Sequence, residues 1–370
     1  FGSTGGIDDA RAVVAEPSGS VMVAGASRGV LAFGHPATAR YPAPNADAAS
    51  ATAYFARFFA PSRASAGQGS GSSPYVLYRD GGGASERANG VAAMSLGYLV
   101  VGTVSPNAES PATLPVVGGV AVAASDVPAT GATFGSVQAV ARAGASPTGW
   151  TVLGPEWGVT GSSSWADVVA TGGASAIAVG SFVTSATSEF ITPPTGTDSI
   201  ARIAYGGTQE PVVAGFNADG GALWAVTGHD AGATPGSDSV VAVDFDRVSA
   251  TAAVVGSTDD SSLFACSVSP CTAAQVTLLE FSDADAMSAP TATATAFFGG
   301  DDVCSEATSV SIGNNRVVVT GTFRDCSNDD SPPFVARVLV LPRLLRPVSS
   351  SSGWEYESGD GESLAPPADG

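Results

Sequence analysis

Asp301–Phe323, DDVCSEATSVSIGNNRVVVTGTF, is the stretch from which the fold is read. A polar run leads into a short strand, Ser309–Ile312. Gly313, Asn314 and Asn315 then supply a tight turn, since glycine and asparagine tolerate the left-handed backbone that such turns need. A β-branched strand, Val317–Thr320, follows and closes on Gly321. Two such runs around such a turn predict a hairpin.

The closing glycine recurs at Gly25, Gly102, Gly180, Gly256 and Gly321, at spacings of 77, 78, 76 and 65 residues. Each has a partner strand upstream, at 12–15, 90–94, 167–171, 239–244 and 309–312, and turn residues between. Five hairpins at a long period predict a propeller or an array. A second anchor is an alanine within an apolar strand, at Ala56, Ala141, Ala214, Ala265 and Ala336. Aromatic-bearing strands follow at 74–80, 149–154, 222–228 and 293–300. The expected unit is the alanine strand, innermost, then the aromatic strand, then the hairpin: four antiparallel strands, one propeller blade.

The chain opens with a hairpin that no alanine strand precedes and closes with an alanine strand that no hairpin follows. The expectation is therefore an all-β, five-bladed β-propeller with four-stranded antiparallel blades. Its N-terminal blade is completed by a closure strand beginning Phe334, Val335, Ala336, Arg337, which removes open sheet edges. Residues 1–347 form this domain, with inter-blade insertions at 28–52, 105–133 and 183–209. Residues 348–370 form a Ser/Gly/Pro-rich tail able to donate a strand, and its Gly353-Trp354 matches Gly149-Trp150. The run Phe334–Arg337, with Gly313-Asn314 through Val317–Gly321, resembles the secreted β-propeller repeats often called SBBP repeats of bacterial surface proteins. That resemblance implies a propeller outside the cell.

Net charge is −19, and all 15 basic residues are arginine. Such a surface repels phosphate backbones and anionic membranes, which argues against nucleic acid as a partner. No run of about 18 apolar residues occurs, so no membrane-spanning helix is expected. The first residue is Phe1, and a removed signal peptide would account for it. Cysteines fall at Cys266, Cys271, Cys304 and Cys326. Cys266 and Cys271 bracket an expected hairpin tip, and Cys304 and Cys326 flank the last hairpin. Two disulfides are expected, Cys266–Cys271 and Cys304–Cys326, the second contributing about 3 kcal/mol. Zinc is the rival reading, and the C-x4-C and C-x21-C spacings fit it poorly. Disulfides imply an oxidising, extracellular compartment.

Site chemistry is sparse. His35 and His229 lie in loops outside any metal-binding or catalytic pattern. Asp8, Asp9, Asp80, Asp230, Asp301 and Asp302 recur near one blade position. They could hold Ca²⁺, the one cofactor the sequence suggests, or supply a glycosidase pair about 5 to 9.5 Å apart. The plainer reading is a solvated, turn-rich face. Trp150, Trp224 and Trp354 match in strand position and are expected in the core. Trp157 and Trp165 are expected in a loop and are the better sugar-stacking candidates. The leading functional expectation is a secreted, non-enzymatic structural or adhesive building block. It could be the subunit of an extracellular filament joined through terminal segments, with self-association or extracellular proteins and glycans as partners. The alternatives are a polysaccharide-acting propeller enzyme and a sugar-binding lectin.

Overall fold

The computed structural model describes residues 2–3, 8–28, 31–33, 39–41, 51–58, 75–79, 84–106, 116–117, 120–121, 133–141, 147–155, 161–184, 188–191, 202–203, 209–227, 239–258, 273–298, 303–314, 316–325 and 335–342. Every regular element among them is a β-strand, and all strand pairs are antiparallel. The chain begins β1 (Gly2–Ser3), β2 (Asp8–Ala15), β3 (Val21–Ser27), β4 (Leu31–Phe33), β5 (Ala39–Tyr41), β6 (Thr52–Phe58) and β7 (Tyr75–Arg79). Sheet 1 has the order β2-β3-β6-β7, and β1-β4-β5 form a small separate sheet. Next come β8 (Ala84–Ala93), β9 (Gly97–Pro106), β10 (Val116–Val117), β11 (Val120–Ala121), β12 (Phe134–Ala141) and β13 (Pro147–Pro155). Here β8-β9-β12-β13 make sheet 2 and β10 pairs β11.

Sheet 3 is built from β14 (Gly161–Ala170), β15 (Ser175–Thr184), β18 (Glu210–Asn217) and β19 (Ala222–Thr227). Between its second and third strands lie β16 (Ser188–Ile191) and β17 (Arg202–Ile203), which pair onto β13 and so extend sheet 2 to six strands. Sheet 4 is β20 (Ser239–Asp246), β21 (Thr251–Thr258), β22 (Ala273–Glu280) and β23 (Thr291–Phe298). Sheet 5 is β24 (Val303–Gly313), β25 (Arg316–Asp325) and β26 (Val335–Pro342).

Each sheet opens with the hairpin that the sequence singles out. Its turns lie where expected: Gly19 and Gly172 take φ of 80° and 87°, and Asn314 takes 51°. The repeated glycine has a specific cause. In all five hairpins the first strand carries one extra residue, at Arg11, Asn89, Ala166, Val241 and Thr308. The anchor glycine sits opposite the residue just before that bulge. The bulge pushes a backbone carbonyl across the ladder. A Cβ on Gly25, Gly102, Gly180, Gly256 or Gly321 would meet the carbonyl oxygen of Asp9, Arg87, Ser164, Ser239 or Glu306 at 1.9–2.2 Å. Only glycine fits without moving backbone.

The first strands also pack against one another in sequence: β2 on β8, β8 on β14, β14 on β20 and β20 on β24. Between consecutive sheets lie four apolar seams, made by alternate residues of each strand. In β9, Tyr98 and Val100 enter the seam toward sheet 1, while Leu99 and Val101 enter the seam toward sheet 3. In β15, Ala176 and Ala178 face sheet 2, while Ile177 and Val179 face sheet 4. In β21, Ala252 and Val254 face sheet 3, while Ala253 and Val255 face sheet 5. Burial on both faces is why these second strands read as unbroken apolar runs.

Several expectations are corrected here. The alanine strand is the third strand of its sheet and follows the hairpin, so the innermost strand is the first strand of the hairpin. The closure strand does not meet the first hairpin. Val335, Ala336 and Arg337 pair with Phe323, Thr322 and Gly321 of β25, the hairpin just before them in the chain, while Phe334 lies outside the described residues. The stretches 28–52, 105–133 and 183–209 connect strands two and three within a sheet and are not inter-blade insertions. In sheet 4 the third strand is Ala273–Glu280, and Ala265, Cys266 and Cys271 lie outside the described residues. Residues 343–370 lie outside the described residues.

Candidate functional site

The five bulge residues, Arg11, Asn89, Ala166, Val241 and Thr308, line one cavity of about 710 Å³ with neighbouring residues of β2, β8, β14, β20 and β24. The bulge turns an extra side chain out of the ladder, and here the five extra residues line the cavity between the first strands. A second hollow of about 490 Å³, lined by Asp9, Ala10, Arg11, Asn89, Ser164, Trp165 and Ala166, lies toward the end where β2 begins.

Polar side chains of the first strands, at the bulge in Arg11 and Asn89 and beyond it in Asp167 and Asp244, tie each sheet to the next. Arg11 pairs with Asp9 at 2.5 Å and donates from Nη1 to Asn89 Oδ1 at 2.9 Å. Asn89 Nδ2 donates to the Trp165 carbonyl at 2.7 Å and to Thr103 Oγ1 at 3.2 Å. Gly90 lets the two strands approach, since a Cβ there would lie 3.1 Å from the Val168 amide nitrogen. One sheet further, Asp167 Oδ2 accepts the Val243 amide at 3.1 Å. Asp244 Oδ2 then accepts the Ile312 amide and the Ser311 hydroxyl, both at 2.9 Å. The sequence of links runs from sheet 1 to sheet 5 through the inner layer.

The charged groups respond to this setting. Burial pushes the Asp167 carboxyl above the ordinary aspartate range; the amides of Val243 and Val168 pull it back, and the Asp244 charge adds to the rise. Burial, with the nearby Asp8 and Asp9 carboxylates, holds the Tyr54 phenol protonated far above its usual range. Tyr54 donates to the Asp9 carbonyl at 3.3 Å. At the opposite end of sheet 1, Arg57 grips Glu16 with two bonds of 2.7 and 2.9 Å, and Tyr98 of sheet 2 donates its hydroxyl to the same carboxylate.

The residues expected at the site divide as follows. Asp8 and Asp9 stand at the start of β2, where Asp8 accepts the Ser27 hydroxyl at 2.7 Å and Asp9 is held by Arg11. Asp80, Asp230, Asp301, Asp302, Trp157, His35 and His229 lie outside the described residues. Among the described residues no three His, Cys, Asp or Glu side chains gather as a metal site. Trp165 is a correction: it is in strand β14, not a loop, and is fully buried. Its ring lies on Gly135, where a Cβ would come within 2.7 Å, and meets Phe216 edge-on at 5.5 Å. A side chain so enclosed cannot stack on a sugar. Trp224 is core, as expected, and its Nε1 donates to the Ala286 carbonyl of sheet 4 at 2.9 Å. Cys304 is in β24 opposite Arg324, while Cys266, Cys271 and Cys326 lie outside the described residues.

Sequence reasoning missed Glu16, Asn89, Asp167 and Asp244. No motif marks them. The available signal was their place, at or within a few residues of the bulge or the turn of a glycine hairpin.

No family model matches the chain, and no curated protein matches it. Among solved structures, the chain is similar to a subtype N11 neuraminidase-like protein of A/flat-faced bat/Peru/033/2010, at 7% identity, with 85% of this chain and 93% of that chain covered and a TM-score of 0.20. At that score the likeness carries no inference about fold or activity.

Proposed function

We propose that the chain is a five-bladed β-propeller that serves outside the cell as a non-enzymatic structural or adhesive building block. Five consecutive sheets, first strands side by side along one cavity and four apolar seams between them support the propeller reading. The observation that carries the functional reading is the use made of the inner carboxylates. Glu16, Asp167 and Asp244 are each engaged in bonds that fasten one sheet to its neighbour. An acid/base pair needs carboxylates free to exchange protons with substrate, and these are bound into the frame. Disulfides at Cys266–Cys271 and Cys304–Cys326 belong to the same proposal. Each would show as a 2 Da mass deficit that a reducing agent removes.

The test is a panel of polysaccharides and extracellular matrix surfaces presented to the native protein. Retention on such surfaces without release of reducing sugar is expected. Sugar release that Asp80→Asn or Asp230→Asn abolishes would overturn the reading in favour of an enzyme. A lectin reading is favoured by one feature, the polar hollow of Asp9, Arg11, Asn89 and Ser164. A glycan that raises the Tm of the native chain, but not that of Ser164→Trp, would establish it.

A further inference from the structure

Sheet 5 has three strands among the described residues, where each of the other four hairpins leads into a sheet of at least four. Its outer strand β26 pairs on one side with β25. Val338 and Val340, two residues apart and so on one face, are 65% and 40% exposed. An uncovered edge with apolar side chains beside it is a template for a further strand.

We infer that Gly353–Ser358, GWEYES, of the same chain adds to this edge as the fourth strand. Three observations point to that segment. Fourth strands carry aromatic residues in every other sheet: Tyr75 and Tyr78 in β7, Trp150 in β13, Trp224 in β19, Phe297 and Phe298 in β23. Trp354 and Tyr356 are the aromatic residues beyond β26, and their spacing of two places both on one face of a strand. The connection also has the right length. In sheet 4, residues 281–290 join the third strand to the fourth, and residues 343–352 are the same number between Pro342 and Gly353. An antiparallel register that sets Trp354 beside Val340 and Tyr356 beside Val338 covers both exposed valines with aromatic rings, a favourable cross-strand pairing.

This inference is independent of the adhesive reading, since it concerns how the last sheet is finished. Hydrogen exchange of the β26 amides tests it in three proteins: the full chain, a chain ending at Pro347, and the full-length variant Glu355→Pro, whose missing N–H and fixed backbone block a strand at that point. The expected result is β26 exchange faster by about tenfold or more in both altered chains. The β21 amides should be unchanged, and the full chain should have a monomeric mass. Equal β26 rates in the full chain and Glu355→Pro would overturn the inference, even if the shortened chain fails to fold. Protection that rises with protein concentration, together with a dimeric or larger mass, would overturn it too, by assigning the strand to a second copy.

Discussion

The junction between sheets 1 and 2 and the junction between sheets 3 and 4 occupy equivalent places and are fastened by different chemistry. At the first, an exposed Asp9–Arg11–Asn89 series crosses one end of the seam, and a buried ion pair, Glu16–Arg57 with the Tyr98 hydroxyl, closes the other. At the second there is no ion pair across the seam among the described residues. The Asp167 carboxylate takes the Val243 amide, neutral donors Ser175, Thr171 and Trp224 reach the Asp285 and Ala286 carbonyls, and Arg247 reaches the Gly172 carbonyl. Apolar packing around Trp224, Phe245 and Phe281 fills the space between. The shared feature is the bulge with its facing glycine. What repeats is the backbone geometry; the side chain that reaches the next sheet is the bulge residue itself at Arg11 and Asn89, and a later residue of the same strand, Asp167 or Asp244, in sheets 3 and 4.

Breaking the two junctions should therefore cost different amounts. The largest loss is expected for Glu16→Ala, which removes the Glu16 carboxylate from the mostly buried Arg57 guanidinium. It should destabilise by about 3–5 kcal/mol in denaturant unfolding, while Glu16→Gln, retaining acceptor and shape, should lose less. Gly180→Ala comes next, because its Cβ would overlap the Ser164 carbonyl oxygen at 2.0 Å. Relieving that overlap should cost about 3 kcal/mol, whereas alanine at Gly313, where nothing lies within reach of a Cβ, should cost far less. Asp167→Ala, which strips the Val243 amide of its partner, should cost about 1–3 kcal/mol. It should also speed exchange of that amide more than of Leu278, across the same sheet.

Smaller still is a pH effect at the same residue. The folded protein holds the Asp167 carboxyl above its ordinary value of 3.8. Over the window from that value up through the raised one, the native state binds more proton than the unfolded chain. Stability thus declines as pH rises. The sign predicts that wild type minus Asp167→Asn stability falls across that window and is flat above it. The smallest effect belongs to Arg11→Ala at the exposed end of the first junction, expected below about 1 kcal/mol. If Arg11→Ala proved as damaging as Glu16→Ala, the exposed series rather than the buried pair would be what fastens sheets 1 and 2.

The hairpins were legible because a two-residue period, a turn and a recurrent glycine are local signals. The order of strands within a sheet was not. A repeat read by its period alone has no marked beginning, and assigning the alanine strand to the front of the unit displaced Val335–Arg337 from β25 to the first hairpin. Sheet 4 shows a second limit: AAQVTLLE is an apolar run with no anchor of its own in the sequence, and its pairing with β21 is what marks it as the third strand. Trp165 follows a serine-rich run that looks like a loop. It is a strand because the run pairs with β15, and its ring is buried because Gly135, 30 residues away, leaves room for it. Asn89, Asp167 and Asp244 were illegible for a related reason: their partners lie in the next sheet.

The central claim of the propeller we propose is that five equivalent hairpins stand around one axis, with sheet 5 beside sheet 1. Spin labels at the exposed turn positions Ser18, Leu96, Ala174, Val248 and Asn314, one per sheet, test it by pairwise distance measurement. A ring predicts that Ser18–Asn314 matches the adjacent pairs Ser18–Leu96 and Leu96–Ala174 and is shorter than Ser18–Ala174. A Ser18–Asn314 distance longer than every other pair would describe an open array and contradict the account.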